Sequence, residues 1–459
     1  MAQRTIDIAD LRRGLRGTAV APGEETWDEA RAAWNLAADQ HPAASVYAEG
    51  VDDIGAAIHF ARANDLQIAP QGTGHGAGPR QPLDQSILIR TERMNGVEID
   101  AGGRVGRFEA GVLSRDAGNA AAEHGLSAFP GSSADVGVVG YTLGGGLGWL
   151  GRRHGLACNN VRAIELVTAD GELRRVDAQD DPDLFWALRG GGGSFGVVSA
   201  IEFDLVELPE VFAGAVIYPA DQRSAEILRR YFEWAAGAPD DVTSLVRFVH
   251  PPPRPQIPEP LRDRHLIMLA ACYAGPESQG GQLLAPLREF GEPVIQNFSA
   301  MPPSQLVSVS MDPEEPVPGI SHTTSLHSMP ADAIDAFVKT AGPDSGSPLV
   351  NAELRPAGGA LAAPADGGGA MSHIDAAFVF SCTGVPMSPE LGEAINDQID
   401  AICDALGPWS TGSCFYNFVG RPIGFEEMFP SDTLSRLRDV KHRYDPDDLI
   451  AANLAIGAT

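Results

Sequence analysis

Nowhere in the 459 residues is there a run of about 18 apolar side chains, the length a bilayer-spanning helix requires. A membrane partner is not expected. The first residues, Met1 to Arg13, scatter their charges and lack the apolar stretch of a secretory leader, so a cytoplasmic location is expected. Cations are scarce: 33 Lys and Arg face 61 Asp and Glu, for a formal charge of −28. Nucleic-acid affinity rests on cations displacing counterions from phosphates, so nucleic acid is excluded as a partner and the charge reads as a solubility device. The five cysteines, Cys158, Cys272, Cys382, Cys403 and Cys414, are odd in number and widely spaced, with no Cys-x-x-Cys pair. Disulfides, zinc and a redox dithiol are therefore not expected. There is also no P-loop, no H-E-x-x-H and no solenoid repeat.

What is present is globular composition, 44% hydrophobic and 20% charged, in a chain long enough for two or three domains. Ile54, Ala57, Ile58 and Ala61 recur at helical spacing over residues 52–65. Short apolar runs at 66–70, 86–90 and 105–110 read as strands, and 114–124 as a helix closed by Gly125. Asp170-Gly171 between 161–167 and 172–176 is a hairpin signal. A helix at 181–188 and a strand from 197 to about 208 follow. Beyond residue 210, Pro- and Gly-rich breaks punctuate short strands and helices, indicating a second domain. A helix over 434–443, stopped by Asp445-Pro446, recovers order near the end.

Three segments match G-x-G-x-x-[GA]: Gly72/Gly74/Ala77, Gly146/Gly148/Gly151 and Gly191/Gly193/Gly196. None opens a helix within a βαβ unit, which argues against a dinucleotide fold of the NAD type. Glycine admits positive φ and brings bare N–H groups close to a ligand, so three such loops suit a large phosphate-bearing cofactor. Gly192-Gly-Ser-Phe-Gly196 has the spacing of a hydrolase elbow, but a helix precedes it and a strand follows, the reverse of that motif's setting. His75 stands out, because its loop lacks neighbouring side chains and leaves the imidazole able to reach a ligand.

Five segments together resemble the berberine-bridge-enzyme-like FAD oxidoreductases, within the wider vanillyl-alcohol-oxidase-type fold. They are Ala69-Pro-Gln-Gly-Thr-Gly-His-Gly76, the run Val136 to Trp149 with its Gly-Gly-Gly, His154 to Val161, Asp183 to Val198, and Arg443 to Leu449 followed by Asn453. The likeness covers about residues 30–210 and 410–455.

The resemblance implies an α+β architecture with a two-part FAD-binding domain of PCMH type, residues 1–210 and 416–459. A central substrate-binding domain, 211–415, is expected to hold an antiparallel sheet and helices. It implies FAD linked through its 8α carbon to His75 alone, since the position of a second, cysteinyl link in some relatives is Ser133. Flavin contacts are expected from Gln71, Gly72, Thr73, Gly74 and Gly76, from Val136, Gly137, Gly140 and Tyr141, from Gly144, Gly145, Gly146 and Gly148, and from Gly196, Val198 and Asn453. The family's frequent His is Tyr141 here, and its usual Arg before the histidine loop is Gln71.

The implied reaction moves hydride from an alcohol, sugar or amine C–H to the flavin, with dioxygen as the oxidant and peroxide as product. The alternatives are a dehydrogenase using another acceptor and a flavin-binding protein without turnover. In relatives a valine at the position of Val136 goes with oxygen reactivity. Relatives place a catalytic tyrosine in a Tyr-x-Asn pattern. Here the segment is Cys414-Phe-Tyr-Asn-Phe418, so Tyr416 serves only if a strand slips by one, with Asn417 beside it. Glu353, sharing a strand face with Arg355, is the other candidate base, and the alternative reading of that pair is a solvated ion pair. His373, placed on the next strand two residues before Asp375, is a weaker candidate.

Overall fold

The computed structural model describes residues 6–79 and 83–456. Three large sheets and one two-stranded ribbon organise the described residues. The first has the order Thr18–Val20, Ala44–Tyr47, Ser86–Arg90, Gln67–Gln71, and its last three strands run parallel. Parallel strands need a crossover, and the helix Val51–Ala63 supplies it. Its apolar stripe, Ile54, Ala57, Ile58 and Ala61, is fully buried, as the spacing predicts.

The second sheet is antiparallel, in the order Val97–Asp100, Val105–Glu109, Val197–Asp204, Val161–Val167, Leu173–Asp177. Gly171 turns the expected hairpin with φ +84°. The strand expected over 197–208 stops at Asp204. After it, Val206–Glu207 leaves the sheet to pair with Leu126–Ser127. The expected helix at 114–124 ends at Ala122, and Gly125 has the positive φ of a terminating residue.

Beyond residue 210 the strands are longer than the breaks in the sequence suggest. Val211–Pro219, Leu266–Tyr273, Val242–Val249, Leu349–Pro356, Phe378–Gly384 and Ile320–Leu326 are consecutive neighbours in one antiparallel sheet, extended by Ile295–Gln296 and Ser299–Met301. Both faces of its central strands are buried, which hides the alternation that marks a half-exposed strand. The helices Ser224–Gly237, Ala331–Ala341 and Pro389–Leu406 contribute Tyr231, Phe337 and Ile399 to the core on one face. The other face packs Val211, Ala213 and Met268 against Trp149 and Leu150.

The last helix, Ser431–Tyr444, packs on Pro182–Leu188. Lys441 and Asp445, both wholly buried, pair at 2.6 Å, and the ammonium also donates to the carbonyls of Ser194 and Ile450. That cation ties the chain's last segment to the third glycine loop. Ile450 in turn bridges Ile68 beside the first sheet. No helix among the described residues is long and apolar enough to cross a membrane.

Candidate active site

A cavity of about 970 Å³ opens between the glycine loops and the large sheet, at the upper end of the range for ligand pockets, roughly 300–1,000 Å³. His75 reaches it from a loop that leaves the strand Gln67–Gln71 and passes into a single 3₁₀ turn. Gly74 has φ +88°, and a Cβ there would come 2.8 Å from that of Ala33, so only glycine lets the loop lie this close to the Trp34 segment. Trp34 stacks on His75 with centroids 4.0 Å apart and planes 18° from parallel. The imidazole Nδ1 lies 2.7 Å from Thr73 Oγ1, and Nε2 is 3.6 Å from Asp135 Oδ1. The other Asp135 oxygen accepts from the Trp34 indole at 2.5 Å. Burial works to raise the Asp135 carboxyl, but His75 and the indole outweigh it and hold it below the usual carboxylate range.

The predicted cofactor residues divide into two groups. Gly72, Thr73, Gly74 and Gly76 line the cavity together with Gln71 and Asn453. Gln71 spends its amide on Gln40 and the Ala32 carbonyl, and Asn453 donates to the Gly76 carbonyl at 2.8 Å. Ser133, Val136, Gly137, Gly140 and Tyr141 line it from the second loop, Gly196 and Val198 from the third. A Cβ on Gly140 would meet nothing within 4 Å, and at Gly137 the nearest atom is 3.8 Å away. Their backbone faces open space that a side chain would fill.

Gly144, Gly145, Gly146 and Gly148 do not line the cavity. Asn417 accepts from the Gly146 N–H at 2.8 Å and donates to the Tyr141 carbonyl at 2.9 Å, so it braces this loop from behind. A Cβ at Gly148 would come 2.1 Å from the Pro130 carbonyl oxygen and 2.6 Å from the Tyr141 hydroxyl. Gly146 and Gly148 are needed for packing around the Tyr141 ring, and Gly144 for the approach of Asn417 and Tyr416. Burial pushes that phenol well above its ordinary range.

On the sheet side, Tyr416 is buried and lines the cavity from a 3₁₀ turn, Tyr416–Phe418. The strand slip that Tyr416 would need does not arise, because this segment is not a strand and alternation of faces does not govern it. Glu353 is not a solvated ion pair: it is 2% exposed and clamped between Arg247, whose Nε donates to it at 2.7 Å, and Arg355. Burial alone would raise its carboxyl, but the two guanidiniums reverse the sign and hold it low. Arg247 continues the network to Asp312 at 2.8 Å, which accepts from Ser133 at 3.1 Å. His373 lies in the loop before the strand Phe378–Gly384 rather than on it. Asp135 is legible only as the neighbour of Val136, while the Trp34, Arg247 and Asp312 contacts join segments too distant in sequence to be read from it.

Residues 42–177 match the family described as FAD binding domain. The (R)-6-hydroxynicotine oxidase of Paenarthrobacter nicotinovorans is 26% identical over 96% of this chain and 97% of its own. The chain is similar to FAD-linked oxidoreductases. Glucooligosaccharide oxidase of Sarocladium strictum is 33% identical over 46% of this chain and 43% of its own length. Other curated FAD-linked oxidoreductases are matched over 63%, 60% and 58% of theirs. The crystal structure of 6-hydroxy-D-nicotine oxidase from Arthrobacter nicotinovorans superposes with a TM-score of 0.82 at 22% identity, covering 97% of this chain and 98% of that one. The fold is the PCMH-type FAD-binding fold, and the cavity size and side-chain-free loop backbone fit FAD.

Proposed function

We propose that this chain is an oxidase with FAD attached covalently to His75, taking hydride from a C–H bond of an alcohol, sugar or amine and passing the electrons to dioxygen. The observation that carries the reading is one cavity shared by the His75 glycine loop and the buried phenol of Tyr416. The flavin, when bound, supplies the two-electron acceptor. The chain's own residues supply binding, orientation and proton handling. Gly72, Gly137 and Gly140 offer backbone to the cofactor, and His75 anchors it. The FAD-binding part is assigned to 1–210 and 416–459, the substrate part to 211–415.

Tyr416 is the base favoured for the substrate proton. Glu353, held ionised by two arginines, is a weak proton acceptor and is assigned to fixing Arg355 at the cavity wall. Ser321, Asn351, Ser381 and Thr383 share the cavity-facing side of three paired strands, which favours a hydroxyl-bearing substrate over an apolar amine. Small alcohols, sugars and amines screened for anaerobic bleaching of the flavin, then for peroxide in air, test the proposal. Bleaching without peroxide would make the chain a dehydrogenase, and no bleaching by any of them would favour flavin binding without turnover.

A further inference from the structure

We infer that Asp135 is a positioning residue for flavin attachment, holding the Nε2 proton of His75 so that Nδ1 is the nitrogen that bonds to the cofactor. The inference rests on the covalent reading of His75 and names the residue that prepares it. His75 Nε2 and Asp135 Oδ1 are both buried and accept or donate no hydrogen bond among the described residues, yet they face each other at 3.6 Å, just beyond hydrogen-bond length. Asp135 is 5% exposed and lies behind the cavity wall, whereas His75 lines the cavity. Nε2 is therefore the edge of the ring turned away from any ligand.

Three contacts fix that orientation. The Trp34 ring sets the imidazole plane, and its indole N–H holds Asp135 through the other carboxylate oxygen. With the proton on Nε2, Nδ1 carries the lone pair, and the Thr73 hydroxyl 2.7 Å away donates to it. Asp135, an acceptor only, selects the tautomer with the proton on Nε2, the Thr73 hydroxyl is compatible with it, and in it the nucleophilic lone pair sits on the nitrogen that Asp135 does not cover.

Attachment forms one N–C bond to the 8α carbon and breaks one C–H bond there. The carbon's proton and the imidazole Nε2 proton are lost in the course of the reaction, and two electrons remain on the flavin. Dioxygen removes those two electrons and takes up two protons, leaving hydrogen peroxide. A buried carboxylate against Nε2 accepts positive charge that appears on the ring as Nδ1 bonds.

The test compares full-length parental protein, Asp135→Asn and Trp34→Phe, each supplied with excess FAD. Acid precipitation separates flavin that is released from flavin that stays on the protein, and the retained fraction is followed in time. The parent is expected to retain its flavin, linked through Nδ1 by NMR of the isolated flavinyl peptide. Asp135→Asn is expected to bind FAD to within about twofold of the parent but to attach it at least tenfold more slowly. Trp34→Phe, which keeps a stacked ring and loses the indole N–H, should fall between. Equal attachment rates in parent and Asp135→Asn would overturn the inference, as would an Nε2 linkage in the parent or loss of FAD binding altogether in the variant. A parent that releases all its flavin removes the covalent reading itself, whereas a retaining parent beside an equally fast variant removes only the role of Asp135.

Discussion

The phenol oxygen of Tyr416 occupies the space that a side chain on Gly192 would need: a Cβ built there lies 2.4 Å from it, and Gly192 has φ +85°. Gly192→Ala therefore both strains the backbone, by about 1–2 kcal/mol, and displaces the phenol. With a confirmed substrate, Gly192→Ala and Tyr416→Phe are each expected to slow anaerobic flavin reduction at least tenfold, about 1.4 kcal/mol of barrier. Stopped-flow bleaching at the parental rate in Tyr416→Phe would remove Tyr416 from the proton-accepting role.

Covalent flavin predicts a fluorescent band after denaturation in SDS. His75→Ala should be dark. Ser133→Ala should remain bright, because Ser133 is spent on Asp312 and no second link is expected there.

Val136 lines the cavity two residues before the helix Val138–Leu143. One added methylene matters in a close-packed wall. Val136→Ile is expected to slow reoxidation of the reduced protein by air while leaving reduction by substrate near the parental rate. Equal reoxidation in parent and variant would end the oxygen-gate reading.

Glu353 gives a prediction with a definite sign. Its folded-state proton affinity is depressed, so its contribution to stability is complete above the unfolded-state range, about 4.3, and is lost as pH falls through the lower folded value. Glu353→Gln removes the carboxylate shared by Arg247 and Arg355, leaving Arg247 only Asp312 as a charged partner, and should cost about 3–5 kcal/mol at pH 7. Urea unfolding at pH 7 and near pH 3 measures this, and the gap between parent and variant should narrow at the acid end. A gap independent of pH would contradict the clamped, ionised carboxylate.

Lys441→Met removes the cation from a site of zero exposure and strands the Asp445 carboxylate. The expected loss is about 3–5 kcal/mol in denaturant unfolding. A change below 1 kcal/mol would mean that Asp445 is satisfied by the Leu449 and Ile450 N–H groups it already accepts.

Much of the two smaller sheets and of the glycine turns beside the cavity was readable because local chemistry dictates it. Positive-φ glycines, the Asp170-Gly171 hairpin and the stripe on Val51–Ala63 are properties of a few adjacent residues. The loop carrying His75 belongs to the same class. What could not be read depends on residues that meet only after folding. Glu353 and Arg355 are legible as strand neighbours, but Arg247, 106 residues earlier, turns a surface pair into a buried clamp. Asn417 next to Tyr416 suggests a catalytic pair, yet its amide is committed to the Gly146 loop, 271 residues away. The 3₁₀ turn at Tyr416 replaces the strand that a residue-by-residue comparison assumes.

Asn453 donates to the carbonyl of Gly76, next to His75, across a separation of 377 residues. Lys441 meanwhile holds the Ile450 carbonyl and the Ser194 carbonyl at once. During synthesis the His75 loop emerges early and must wait, incompletely braced, until these late residues have left the ribosome. The final geometry of that loop is therefore completed only once residues 441–453 have been made and folded back onto it.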